Sequence, residues 1–213
     1  MKTDELISVL ASGAEAVEPH ALRRRYAIAL GWGAFGTTLL MAMLLGVRPD
    51  LAAATRLPMF WLKLAFPAAL LAGALLAVLR LSRPGARLGH APAAIAAPVL
   101  AMWLLAAIVL LGAAPAERDE LVLGQSAASC PLTIAFLSVP LFGAVLWAMK
   151  GLAPTRPALA GATAGLLSGA GGALVYALYC LEMAAPFIGV WYLLGMLIPT
   201  VLGALLGPRL LRW

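Results

Sequence analysis

Charge is what this sequence has least of. Asp, Glu, Lys and Arg make up 11% of its 213 residues, less than half the roughly 25% of an average soluble domain, and 63% of the chain is hydrophobic. A chain this poor in charge cannot cover itself with a water-compatible surface, which excludes an ordinary soluble enzyme. Cysteine is almost as scarce. Cys130 and Cys180 are the only two, and no CxxC motif exists, which counts against a dithiol oxidoreductase and a compact thiolate metal site. The two histidines, His20 and His90, fall on the opposite side of the membrane from the cysteines in the topology below, so they cannot complete such a site. The sequence calls for no cofactor and no metal.

What is abundant is long apolar runs. A bilayer-spanning helix needs about 20 apolar residues, and six windows qualify: residues 26–46, 58–79, 91–114, 131–149, 157–181 and 183–208, with Lys63 the only formal charge inside any of them. The first follows Arg23, Arg24 and Arg25 in the manner of a secretory signal, but its 21 uncharged residues exceed a signal core of about 7 to 15. It reads as a retained span. The net charge of +6 sits beside span ends, as the positive-inside rule requires, so a direct nucleic-acid partner is not indicated. The expected architecture is all-α: a polytopic bundle of six transmembrane helices in the lipid bilayer, with a short amphipathic helix ahead of it. Residues 1–25 form a cytoplasmic arm, 26–208 the six-helix domain and 209–213 a tail.

Placing the N-terminus in the cytoplasm puts eleven of the fifteen basic residues inside, leaving Arg48, Arg56, Lys63 and Arg118 outside or near it. Both termini then face the cytoplasm. Lys63, near the outer end of span two, is expected to snorkel to the interface as an anchor. Gly161, Gly165 and Gly169 form a small-residue ridge on which helix backbones can approach closely; a six-span bundle favours packing within the chain over a dimer. Pro67, Pro98, Pro140 and Pro199 each remove a donor inside a span.

In this topology Cys130 and Cys180 lie at one depth on the outer face, and the short 150–156 connection makes spans four and five antiparallel neighbours. Pro131 suits the first turn of a helix, setting Cys130 at or near an N-cap, where free amides and the helix dipole favour thiolate. Cys180, near a helix C-terminus and Glu182, suits a resolving partner. The residues alone leave a redox-sensing pair and a permanent staple equally open.

The first 25 residues are patterned. Leu6, Val9, Leu10, Gly13 and Val17 form one helical stripe, Thr3 is placed to cap it, Asp4 and Glu5 occupy the first turn, and Pro19 ends it. A lone helix of about 15 residues is marginal in water. With Ser8, Ser12 and Glu15 on its polar face, the stripe suits a protein groove better than anionic lipid. Thr3, Asp4, Leu6, Ile7, Val9 and Leu10 are the expected partner-binding residues.

Several stretches together resemble a known family: Met1–Ile7, the arginines before span one, Gly46-Val47-Arg48-Pro49-Asp50-Leu51, Phe60-Trp61-Leu62-Lys63, and Cys130-Pro131 with Cys180. The chain is similar throughout to the NrsF-type negative regulators of sigma-F, six-span membrane anti-sigma factors of bacteria. The resemblance implies a non-enzymatic protein that holds an extracytoplasmic-function sigma factor away from RNA polymerase. Stress, as oxidation or soft-metal capture at the cysteine pair, would end that hold. By position Cys130 and Cys180 match the family's cysteines, and the arm matches its cytoplasmic region. The rival readings are a membrane thiol enzyme, a transporter, and a structural protein stapled by a disulfide.

Overall fold

The structure, a computed structural model, describes residues 21–212 except Pro84 and Ala153, together with Thr3, Glu5 and Ser8 ahead of them. Every regular element among the described residues is helical. The first long helix, α1 (Ala21–Leu44), starts ahead of the apolar window and takes in the three arginines. Its buried residues Tyr26, Ala29, Gly33, Thr37 and Met41 recur at helical spacing, while Trp32, Phe35, Leu39 and Met43 stand exposed on the faces a bilayer would cover.

After α1 come the single turn α2 (Leu51–Ala54), α3 (Pro58–Leu81), α4 (Ala91–Gly112), the short α5 (Arg118–Leu123), α6 (Cys130–Leu137) and α7 (Val139–Met149). The chain closes with α8 (Pro157–Tyr176), the three-residue α9 (Ala185–Phe187), a π turn over Ile188–Tyr192, and α10 (Leu193–Leu210). Five helices are long and apolar enough to cross a membrane, and α6 and α7, bent by 43° at their junction, pass the same test taken as a pair. Proline opens these helices, at the first position of α3 and α8 and the second of α4 and α6, where the missing N–H costs nothing.

Three of the four span prolines remain inside continuous helices, Pro67 in α3, Pro98 in α4 and Pro199 in α10. The bend falls at Ser138, two residues before Pro140. There the proline ring removes the bond to the Phe136 carbonyl and crowds it, and Ser138 turns its hydroxyl onto Ala135 O at 2.6 Å.

The central element is α8, packed against α10, α3, α7, α6 and α1. Its glycine ridge is consumed within the chain. A Cβ on Gly161 would run into the Gly203 carbonyl, one on Gly165 into the Pro199 carbonyl, and one on Gly169 into the Met196 backbone. The ridge therefore brings α8 and α10 into backbone contact.

Arg25, Tyr26, Ser82 and Lys150 gather at one end of the bundle, and Arg48, Lys63, Cys180 and Glu182 at the other. This is the segregation of ends that alternating spans require. Arg25 bonds the carbonyls of Trp147 at 3.0 Å and Lys150 at 2.6 Å, capping the C-terminus of α7, and its guanidinium lies 5.1 Å over the Trp147 ring.

Candidate functional site

Cys130 is the first residue of α6, after Ser129, and its side chain is completely enclosed. Its amide is not one of the free donors expected there: the N–H bonds Ser126 O at 2.9 Å. Cys180 lies beyond α8 rather than at the end of a span, because α8 stops at Tyr176 and residues 180–184 form an irregular link to α9. Both cysteines are free thiols and both flank the hydroxyl of Tyr176. Tyr192, delivered by the π turn, stands beside Cys180 with its hydroxyl buried and without a hydrogen-bond partner among the described residues. The two tyrosine rings pack at 5.8 Å.

Lys63 overturns its expected role as an interfacial anchor. It is fully buried, and its ammonium donates to Cys180 O at 2.6 Å and Glu182 O at 2.8 Å, 5.7 Å from the Tyr192 ring centre. The physical reason is the broken backbone after α8. Carbonyls that have left a helix need donors, and the amine of α3 reaches them before it reaches the surface.

Arg48 joins from the other side. Gly46, at φ 73°, ends α1 with its N–H on Met41 O and swings the chain so that Arg48 enters the bundle. Its guanidinium pairs with both Asp50 carboxylate oxygens at 2.7 Å and donates to Cys180 O at 3.2 Å; its amide bonds Leu178 O. Arg48–Asp50 is the one ion pair among the described residues.

The Arg48 guanidinium holds the Asp50 carboxyl below its ordinary range. A depressed carboxyl contributes stability that is complete above its unfolded value, about 3.9, and is lost as pH falls through the lower folded value. The amide protection factor of Arg48 is accordingly expected to drop between about pH 6 and about pH 3, and in Asp50→Asn to lie at the low level at both. Exchange measured by mass spectrometry checks this, and equal protection at the two pH values in the wild type would contradict it.

A cleft of about 330 Å³ opens beside Cys180, lined by Arg48, Gln125, Ser126, Tyr176 and Glu182 among others. Cys130 is not among the lining residues. The Glu182 carboxylate accepts from the Gln125 amide at 2.8 Å. A Cβ on Gly124, itself at φ 51°, would meet this carboxylate and displace it. Among the described residues no three His, Cys, Asp or Glu side chains are grouped to hold a metal ion.

The structure thus brings both cysteines to the Tyr176 hydroxyl, an approach the topology permitted without requiring it, and surrounds them with groups that carried no expected role at a thiol site: Lys63, Arg48, Tyr176 and Tyr192. A signal for two of them existed, since Arg48 and Lys63 lie in stretches that carried the family resemblance and Lys63 is the lone charge of its span. Of the expected partner-binding residues only Thr3 is described, in helical conformation, and Ser8 bonds Glu5 O at 3.0 Å; Asp4, Leu6, Ile7, Val9 and Leu10 lie outside the described residues.

Comparison with known proteins agrees with the resemblance. The profile of the family described as "Negative regulator of sigma F" matches residues 10–213. The chain is 60% identical over its full length to the full length of the probable anti-sigma-F factor NrsF of Azospira oryzae. It is 40% identical, again over the whole of both chains, to the anti-sigma-F factor NrsF of Caulobacter vibrioides. No solved structure matches. On a match of this length the chain belongs to the NrsF family of negative regulators of sigma F.

Proposed function

We propose that this protein is an inner-membrane anti-sigma factor whose cytoplasmic arm, residues 1–25, holds an extracytoplasmic-function sigma factor, and whose six spans, 26–208, sense stress through Cys130 and Cys180. The observation that carries the reading is the full-length similarity to two anti-sigma-F factors. In the resting state Leu6, Ile7, Val9 and Leu10 enter an apolar groove of the sigma factor, and both termini lie in the cytoplasm. The chain regulates by binding and catalyses nothing.

The thiol site supports a sensing role by its connections. Arg48, on the Cys180 carbonyl, follows directly on α1, and the opposite end of α1 leads into the arm. Oxidation of the two thiols to one disulfide gives up two protons and two electrons, to a hydroperoxide for example; a soft metal ion bridging the sulfurs releases the protons alone. Either event ties α6 to the 180–184 link through the two sulfurs. Tenfold weaker sigma binding asks for only about 1.4 kcal/mol of coupling, within the usual allosteric range.

The test is co-purification from membranes with the sigma factor encoded beside it. Wild type, a deletion of residues 2–18, and Cys130→Ser/Cys180→Ser are compared before and after a thiol oxidant. Wild type is expected to capture the sigma factor and to release it on oxidation; the deletion captures none; the double serine variant captures but holds on. Absence of capture in every state would end the anti-sigma assignment, and capture indifferent to oxidant would reduce the cysteines to a structural pair.

A further inference from the structure

A buried ammonium with no carboxylate is costly, and the Lys63 site contains no such partner: the one ion pair among the described residues belongs to Arg48 and Asp50. The fold nonetheless closes completely around Lys63 and places the amine against the carbonyl of Cys180 itself and that of Glu182 two residues on. Packing alone would be served as well by methionine, which fills the same volume without a charge to desolvate.

The groups able to take negative charge beside it are the thiols. Facing Cys180 are Lys63 from α3, Arg48 from the turn after α1, Tyr176 from α8, Tyr192 from the π turn and Cys130 from α6. On its own segment stands Glu182, whose carboxylate is turned to the Gln125 amide. Two cations thus converge on the Cys180 backbone: Arg48, already paired with the Asp50 carboxylate, and Lys63, which has no carboxylate of its own, the Glu182 carboxylate being turned away. The open space is on the Cys180 side also: Cys180 borders the cleft, whereas Cys130 is sealed behind it.

We propose that Lys63 is a positioning residue for Cys180, fixing the 180–182 segment by its carbonyls so that Cys180 is the thiol that meets an incoming electrophile, with Cys130 as the second sulfur. This rests on the thiol-site reading above and deepens it, and it reverses the order of reactivity expected from the sequence. Positive charge beside a thiol favours its thiolate, so the same amine that holds the segment also supplies the counter-charge when the Cys180 proton leaves to water in the cleft.

The experiment uses the full chain in lipid nanodiscs and the small neutral electrophile iodoacetamide. The thiolate attacks the methylene carbon, the S–C bond forms, the C–I bond breaks and iodide leaves with the electron pair. Intact mass gives the rate against pH. Cys180 in a Cys130→Ala chain is expected to react at least about tenfold faster at neutral pH than Cys130 in a Cys180→Ala chain, the equivalent of one pH unit in thiolate population.

In the Cys130→Ala background, Lys63→Met is expected to slow the reaction about tenfold and raise the midpoint of the pH profile by about one unit, while Lys63→Arg keeps both near wild type. Methionine leaves Arg48 on the Cys180 carbonyl. Should it still fail to fold, Lys63→Gln, which keeps a donor without the charge, makes the same comparison. Faster modification of Cys130, or a pH profile untouched by loss of the charge, would overturn the proposal; the latter is what a neutral amine beside a neutral thiol would give. Sigma-factor capture is measured on the same preparations and is independent of the alkylation rates, so failure of the anti-sigma reading and failure of this one are told apart.

Discussion

Gly165→Leu is expected to be the most damaging single substitution outside the thiol site, because it drives a side chain into backbone rather than into another side chain. At Gly165 even a Cβ would overlap the carbonyl of Pro199, with Thr200 Cα close behind. Those atoms belong to a continuous helix, α10, and cannot rotate away as a side chain would. The alternative is to separate α8 from α10, and the neighbouring contacts of Gly161 with Gly203 and Gly169 with Met196 would be lost together. Overpacking ordinarily costs about 1 to 3 kcal/mol, and with backbone as the obstacle and three contacts coupled the loss is expected at or above about 3 kcal/mol. Denaturant titration in detergent micelles measures it, with Gly143→Leu as the control. No atom lies within 4 Å of a Cβ built at Gly143, so that variant is expected to stay close to wild type, and equal loss in both would sink the argument.

The glycine ridge was legible in the sequence because the requirement is local and periodic: three glycines four apart lie on one face of any helix. Five of the six expected spans were legible for a similar reason, since a bilayer sets the length of an apolar run whatever it packs against. The bend in span four was not. Pro67, Pro98, Pro140 and Pro199 look alike as sequence, and only the surroundings separate them. Beside Pro140 the chain finds Gly171 and Gly172 of α8, where a Cβ would strike Leu141, Ile134 O and Ser138 N, so the bent span lies tight against the centre of the bundle.

At the thiol site the shared end of the bundle was legible and the surroundings were not. Charge asymmetry placed Cys130 and Cys180 at one end of the bundle, and the structure brings them together there. What it could not convey is that α8 stops at Tyr176, four residues short of Cys180. That early stop frees the carbonyls that draw Lys63 inward, so a residue whose composition-level reading was an interfacial anchor becomes a buried donor. The π turn ahead of α10 acts similarly, turning Tyr192 into the site; Pro186 and Gly189 stand there, but neither residue type distinguishes a π turn from an ordinary helix start.

Leu141→Ala is expected to have the second-largest effect, and to loosen α7 from α1. Leu141 lies three residues past the bend, 3% exposed, with one methyl occupying the space a side chain at Gly33 of α1 would need and the other the space at Gly171 of α8. A single side chain therefore keys three helices together, and both glycines are small where it enters. Truncation leaves a void that backbone contacts prevent from closing fully, and leucine-to-alanine changes in such settings cost about 2 to 5 kcal/mol. The opposite end of α1 remains tied by Arg25 to Trp147 O and Lys150 O, so the fold is expected to survive with α1 free to pivot about that attachment. Two readouts separate this outcome from general unfolding. Exchange of the α1 amides near Gly33 is expected to rise while that of α8 near Gly165 stays low, and if sigma-factor grip passes through α1, capture in the reduced state weakens without any oxidant. Uniform acceleration of exchange across α8 and α10 would show instead that Leu141 supports the whole bundle and carries no particular link to α1.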